Sequence, residues 1–173
     1  SYEGQTLITQ SVGMDADAHV LSLALAESGK INLVSLQYID FRAAKDEDPE
    51  IKEQGILKTS ESLSLAGADA NTRGILVGQD WYFVVGNKVY TSPVLKPQLA
   101  DLTTLPDDLG VPVAVAVTSK ETHLIIATYD AGSSHENKGS FALVDLTTKE
   151  VKVHRNVMGK CVVAKGYDAN PWF

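Results

Sequence analysis

Short apolar runs broken by polar turns dominate the chain, and their spacing predicts strands. Thr6–Val12 (TLITQSV), His19–Ala26 (HVLSLALA) and Lys30–Phe41 (KINLVSLQYIDF) come first, with Glu-Ser-Gly as a hairpin turn between the last two. The apolar spacing of His19–Ala26 is half alternating, so a helix with Asp15 or Asp17 as its N-cap is the competing assignment. Strand is favoured. The charged stretch FRAAKDEDPEIKEQG then separates two apolar regions and reads as a solvated excursion, with one helical turn over Pro49–Gln54. GILVGQD, WYFVVGN and KVYTSPV give three short strands, turning at Gln79-Asp80 and at Gly86-Asn87. A proline-punctuated connector follows, with a brief helix expected at Gln98–Leu102. VAVAVTS, HLIIATYD, SFALVDLTT and EVKVHRNV complete the apolar series, and His154-Arg155 reads as a solvated strand end.

These segments form a repeat of three strands, starting near Leu7, Gly74 and Val113, with Cys161 opening a fourth copy. The second strands, His19–Ala26, Trp81–Val85 and His123–Tyr129, are almost continuously hydrophobic. A strand that is apolar on both faces must be covered on both, as in sheets stacked on sheets. The stretch VAVTSKETHLIIATYD, with GSFALVDLTTKEVKV after it, resembles a β-propeller blade of the surface-layer (YVTN-like) kind and, more loosely, of the quinoprotein kind. The match spans residues 113–154, about a quarter of the chain, and lacks a WD dipeptide. The resemblance implies a mainly β, propeller-like fold of three to four antiparallel sheets. A β-sandwich or β-barrel is the alternative. The 67 residues from Leu7 to Gly74 exceed the blade length of about 40–50 that propellers use.

At 173 residues the chain is read as a single β-rich domain over 1–173, either self-contained or part of a larger assembly or longer chain. Composition refines this. With 15 basic and 22 acidic residues the net charge is −7, and no Lys/Arg cluster offers phosphates a positive face, so nucleic acid is not an expected partner. No apolar run is long enough for a transmembrane helix. The single cysteine, Cys161, rules out an intramolecular disulfide and any paired-Cys redox or zinc module. The start at Ser-Tyr-Glu, with no leader pattern, reads as trimmed or processed. A soluble intracellular domain and an exported one with its signal removed both fit.

Three groups of residues carry candidate chemistry. Asp15, Asp17 and His19 alternate with alanine, and on an extended strand alternate side chains share a face, so two carboxylates and an imidazole could hold a divalent metal. The competing reading is a polar turn after Gly13. The loop YDAGSSHENKGS brings Asp130, two serines and His135 together, but adjacent residues rarely build a catalytic triad, and a flexible hairpin loop is favoured. Trp81, Tyr82, Tyr167 and Trp172 are candidate aromatic platforms, with the run at 81–83 expected to straddle the core. P-loop, dinucleotide-binding and zinc-protease motifs are absent from the sequence. Nothing positively indicates an enzyme. The leading expectation is a non-catalytic module that binds a protein or ligand through its loops, with a protein partner or homo-oligomer implied. No cofactor is predicted, and a divalent metal is the one the residues could hold. The alternatives are a metal-assisted hydrolase using Asp15, Asp17 and His19, to which His123 or His135 could add, and a carbohydrate-binding module using Trp81, Tyr82 and Tyr167.

Overall fold

Hairpin follows hairpin along the chain. The computed structural model describes residues 6–15, 18–39 and 55–160, with side-chain detail over 22–35 and 60–160. Twelve strands are described: β1 (Thr6–Asp15), β2 (Ala18–Glu27), β3 (Lys30–Ile39), β4 (Gly55–Ser64), β5 (Arg73–Val77), β6 (Asp80–Val85), β7 (Lys88–Pro93), β8 (Ala100–Thr104), β9 (Val111–Val117), β10 (His123–Tyr129), β11 (Gly139–Asp145) and β12 (Val151–Met158). They form three antiparallel sheets of four strands, each a meander in sequence order, β1 to β4, β5 to β8 and β9 to β12. None of the three closes on itself. The protein is therefore mainly β. Among the described residues no helix is long and apolar enough to cross a membrane.

The second sheet explains why its middle strand is apolar throughout. In β6, Trp81, Phe83 and Val85 pack with Ala24, Ile31 and Leu33 of the first sheet. The alternate residues Tyr82 and Val84 face the other way, toward Leu124, Ile126 and Val144 of the third. Side chains alternate across a strand, so a sheet between two others needs hydrophobic residues at every position. Register keeps the two sets apart: Phe83 pairs with Tyr90 on one face and Val84 with Val89 on the other. Between these faces, the first strands run side by side, β1 against β5 and β5 against β9. Arg73 ties the latter two, donating from Nε to the Val113 carbonyl at 3.2 Å while Nη1 caps the Ala70 and Thr72 carbonyls at 2.9 and 3.0 Å.

A second device recurs where one sheet hands over to the next. Leu65 follows β4 and donates its N–H to the carbonyl of Gly29, in the β2–β3 turn, at 2.9 Å. Leu105 follows β8 and does the same to Asn87, in the β6–β7 turn, at 2.7 Å. Both leucines are buried, the first between the first and second sheets and the second between the second and third. Each linker thus satisfies a turn carbonyl and plugs the adjoining core with one residue. Gly110, in the second linker, has φ +78°, and a Cβ there would come within 2.4 Å of the Tyr129 carbonyl oxygen. Only glycine fits that crossing.

Several expectations change. The unit has four strands, not three, because β4, β8 and β12 each add an outer strand. The helix expected at Gln98–Leu102 is the start of β8. β1 runs through Gly13 to Asp15, so Asp15 lies in a strand and not in a turn. The turn placed at Gln79-Asp80 falls at Gly78-Gln79. His154 and Arg155 sit inside β12, which continues to Met158. The helical turn at Pro49–Gln54 and the strand opening at Cys161 lie outside the described residues.

Truncating a linker plug separates burial from mere hydrophobicity. Leu65→Ala and Leu105→Ala should each lose about 2–5 kcal/mol of unfolding free energy. Leu95→Ala, at an 82% exposed leucine, should stay within about 0.5 kcal/mol of the parent. Urea titration followed by tryptophan fluorescence reads all three, and equal losses would refute the assignment.

Candidate functional site

A cleft of about 240 Å³ opens between the edge of the first sheet and the segment that follows β7. Leu33 and Ser35 from β3, Ser60 and Glu61 from β4, and Val94, Leu95 and Pro97 line it. Ser60 and Glu61 are consecutive on β4, opposite Val34 and Leu33 of β3. β4 is the outer strand of its sheet, so this edge carries backbone groups that no other described strand pairs.

The sequence SPVLKP shapes the opposite wall. Pro93, paired with Asp80, ends β7, and Pro97 lacks an N–H with which to resume a ladder. The segment is pinned at both ends instead: Val94 N–H donates to the Gln79 carbonyl at 2.9 Å, and Gln98 N–H donates to the buried Ser92 hydroxyl oxygen at 2.9 Å. Between those pins Leu95 projects outward, 82% exposed, beside the carboxylate of Glu61. The lining supplies an apolar surface, two hydroxyls and one negative charge.

A second polar cluster lies at one end of the third sheet. His123 Nε2 is 3.4 Å from Asp145 Oδ2, and Thr122 Oγ1 is 2.8 Å from His123 Nδ1. The order hydroxyl, imidazole, carboxylate resembles a proton relay, but its groups are engaged in closing turns. Asp145 Oδ1 accepts the N–H groups of Thr147 and Thr148, both at 2.8 Å, and Thr118 Oγ1 accepts those of Thr122 and His123 at 3.2 and 3.1 Å. His123 and Asp145 are direct cross-strand partners, so their contact clasps the β9–β10 turn to the β11–β12 turn. The Thr148 and Thr147 N–H groups, helped by His123, hold the Asp145 carboxyl below the usual carboxylate range. On the same sheet Arg155 forks onto Asp108, at 2.8 and 3.1 Å, and holds that carboxyl low as well.

Among the described residues, those singled out by sequence do not assemble into one site. Trp81 is 1% exposed and stacks on Phe83 with ring centroids 5.8 Å apart, so it offers no ring face to a ligand. Tyr82 packs on the opposite face of the same strand, where burial, and then the Asp80 carboxylate, raise its phenol above the usual value against a hydrogen bond with Thr91. Asp130 and His135 share the β10–β11 loop, but that loop is closed on itself. Asp130 Oδ1 accepts from Gly132 N–H at 3.0 Å, Ser133 Oγ accepts from His135 N–H at 3.2 Å, and Lys138 Nζ donates to the Ala131 carbonyl at 3.0 Å. Asp15 pairs with Ala18 and Met14 with His19, so Asp15 and His19 occupy neighbouring register positions, which alternate between the two faces of a sheet. Asp17, Tyr167 and Trp172 lie outside the described residues. Among the described residues no group of three or more His, Cys, Asp or Glu gathers.

Sequence reasoning missed Leu95 and Glu61. The available signal was the Ser-Pro-Val-Leu-Lys-Pro spacing, which puts an isolated leucine between two residues that donate no N–H to a ladder.

The clasp has a pH signature. A depressed folded-state pKa stabilises above the ordinary carboxylate range, and that contribution is lost as pH falls through the folded value. Asp145→Asn should therefore melt below the parent at pH 7, and the gap should close on acidification between about pH 5 and pH 2. Thermal melts of both proteins across that range test it; parallel profiles would refute it. No family model matches this chain, and no curated protein sequence matches it.

Proposed function

We propose that this chain is a non-catalytic protein-interaction module with a propeller-like arrangement, binding an extended segment of a partner in the cleft beside β4. In this reading the three sheets are blades, with β1, β5 and β9 innermost. The side-by-side placement of those strands, and the linker leucines repeated at Leu65 and Leu105, support it.

The observation that carries the functional reading is Leu95. A leucine pinned at both flanks and left 82% exposed beside Leu33, Val94 and Pro97 holds a fixed apolar surface that a partner can cover. Its neighbours specify that partner. Leu33, Val94 and Pro97 suit an aliphatic or aromatic side chain, and Glu61 suits a Lys or Arg next to it. The edge of β4 can add an extended backbone, so affinity comes from main-chain hydrogen bonds and specificity from the cleft.

Peptide display against the purified chain tests this. Selected peptides should combine an aliphatic or aromatic residue with a nearby Lys or Arg. Their binding should weaken by about tenfold or more in Leu95→Asp and in Glu61→Lys, since each tenfold is only about 1.4 kcal/mol. Peptides that bind both variants as well as the parent would refute the cleft. Binding on a glycan array, with none to peptides, would replace this function with carbohydrate recognition.

A further inference from the structure

Every sheet in this fold has two faces, yet only the second sheet has both covered by described sheets. The third sheet turns Leu124, Ile126 and Val144 toward the second. Its other face carries Ile125, Phe141 and Leu143, which register places together: Ile125 pairs with Leu143, and Phe141 with Ala127. These three are half-buried and belong to neither core. The first sheet is the mirror case. Ala24, Ile31 and Leu33 face the second sheet, while Leu23, Leu25 and Val34 alternate to the far side, with Leu23 and Val34 paired across the strands. Neither outward set belongs to the two described cores, although Val34 is itself buried.

We infer that two copies of this chain join head to tail, the outward face of the third sheet in one covering the outward face of the first sheet in the other. The inference rests on the propeller-like reading above. The interfaces already present argue for the second copy. Twice along the chain, the far face of one sheet meets the near face of the next, through their second and third strands. The third sheet turns a far face and the first a near face away from these cores, so one chain holds both halves of a third such interface. The three described sheets are too few to close a ring, since closed propellers use about 4–8. Two copies related by a two-fold axis give six sheets, two equivalent new interfaces and no open apolar end. Lys152, paired with Leu143 on the third sheet, and Lys30, beside Glu27 on the first, would then lie at the margins of one shared interface.

Native mass spectrometry and light scattering should give twice the 18.6 kDa chain mass. Leu143→Lys and Leu23→Lys should each weaken dimerisation by about a hundredfold, because a charge is buried there without a partner. Leu95→Asp should leave the dimer intact, and Leu143→Lys should leave peptide binding intact, so failure at the cleft and failure at the end faces read out separately. A short amine cross-linker on mixed isotope-labelled copies should join Lys152 of one chain to Lys30 of another, a readout that needs no variant to fold. A monomer at all concentrations, a dimer that persists in both lysine variants, or an assembly of more than two chains would overturn the inference. A monomer would leave the end faces to further sheets of a longer chain or to a different protein.

Discussion

The second sheet has no face left for water, and the rest of the fold follows from that. Trp81 and Phe83 stack toward the first sheet, while Tyr82 and Val84 pack toward the third. Moving β6 by one residue would exchange these sets, placing the tryptophan where valine-sized neighbours wait. Register in the middle sheet is thereby set from both sides, and it sets in turn how the outer sheets lie. The linkers reinforce the arrangement. Leu65 and Leu105 each enter the core that their own sheet shares with the next, so the covalent order of the sheets and their packing order agree.

Polar contacts play a different part. Arg73 reaches three backbone carbonyls where the first strands of two sheets meet, satisfying acceptors that would otherwise go unpaired. The Arg155–Asp108 fork and the His123–Asp145 contact join segments far apart in sequence but lie near the surface, where solvent screens them. Exposed pairs of this kind add little stability. Their geometry instead selects one arrangement of turns over others, as the two N–H groups closing on Asp145 do.

What the sequence made legible follows the same division. Units expected to start near Leu7, Gly74 and Val113 begin at Thr6, Arg73 and Val111, because a continuously apolar strand such as HLIIATYD marks the second strand of each sheet. The outer strands β4 and β8 were missed for the complementary reason. ADLTT has no fully buried residue, and GILKTSESLS lies among serines and charges, so neither has a strong period. β12 was legible because Val151 and Val153 alternate with Lys152 and His154. The candidate site was harder still. Asp130 and His135 drew notice as residue types, yet their loop spends its polar groups on itself. Leu95 and Glu61 are ordinary residues made notable by placement, and pairing across 34 positions of sequence is a tertiary fact.

The cleft and the end faces suit different kinds of contact. Around Leu95 the backbone is pinned by two hydrogen bonds and two prolines, so little ordering is needed when a ligand arrives. Such a site can bind a narrow segment with few contacts, because preorganisation lowers the entropic cost of association. The outward face of the third sheet has no comparable relief. Ile125, Phe141 and Leu143 stand side by side on a pleated surface that fits another sheet far better than a peptide. A segment-reading edge and a sheet-reading face can therefore work on one small domain without competing, provided they use different surfaces. Here the first belongs to the β4 edge and the loop after β7, and the second to the outward faces of β10 with β11 and of β2 with β3.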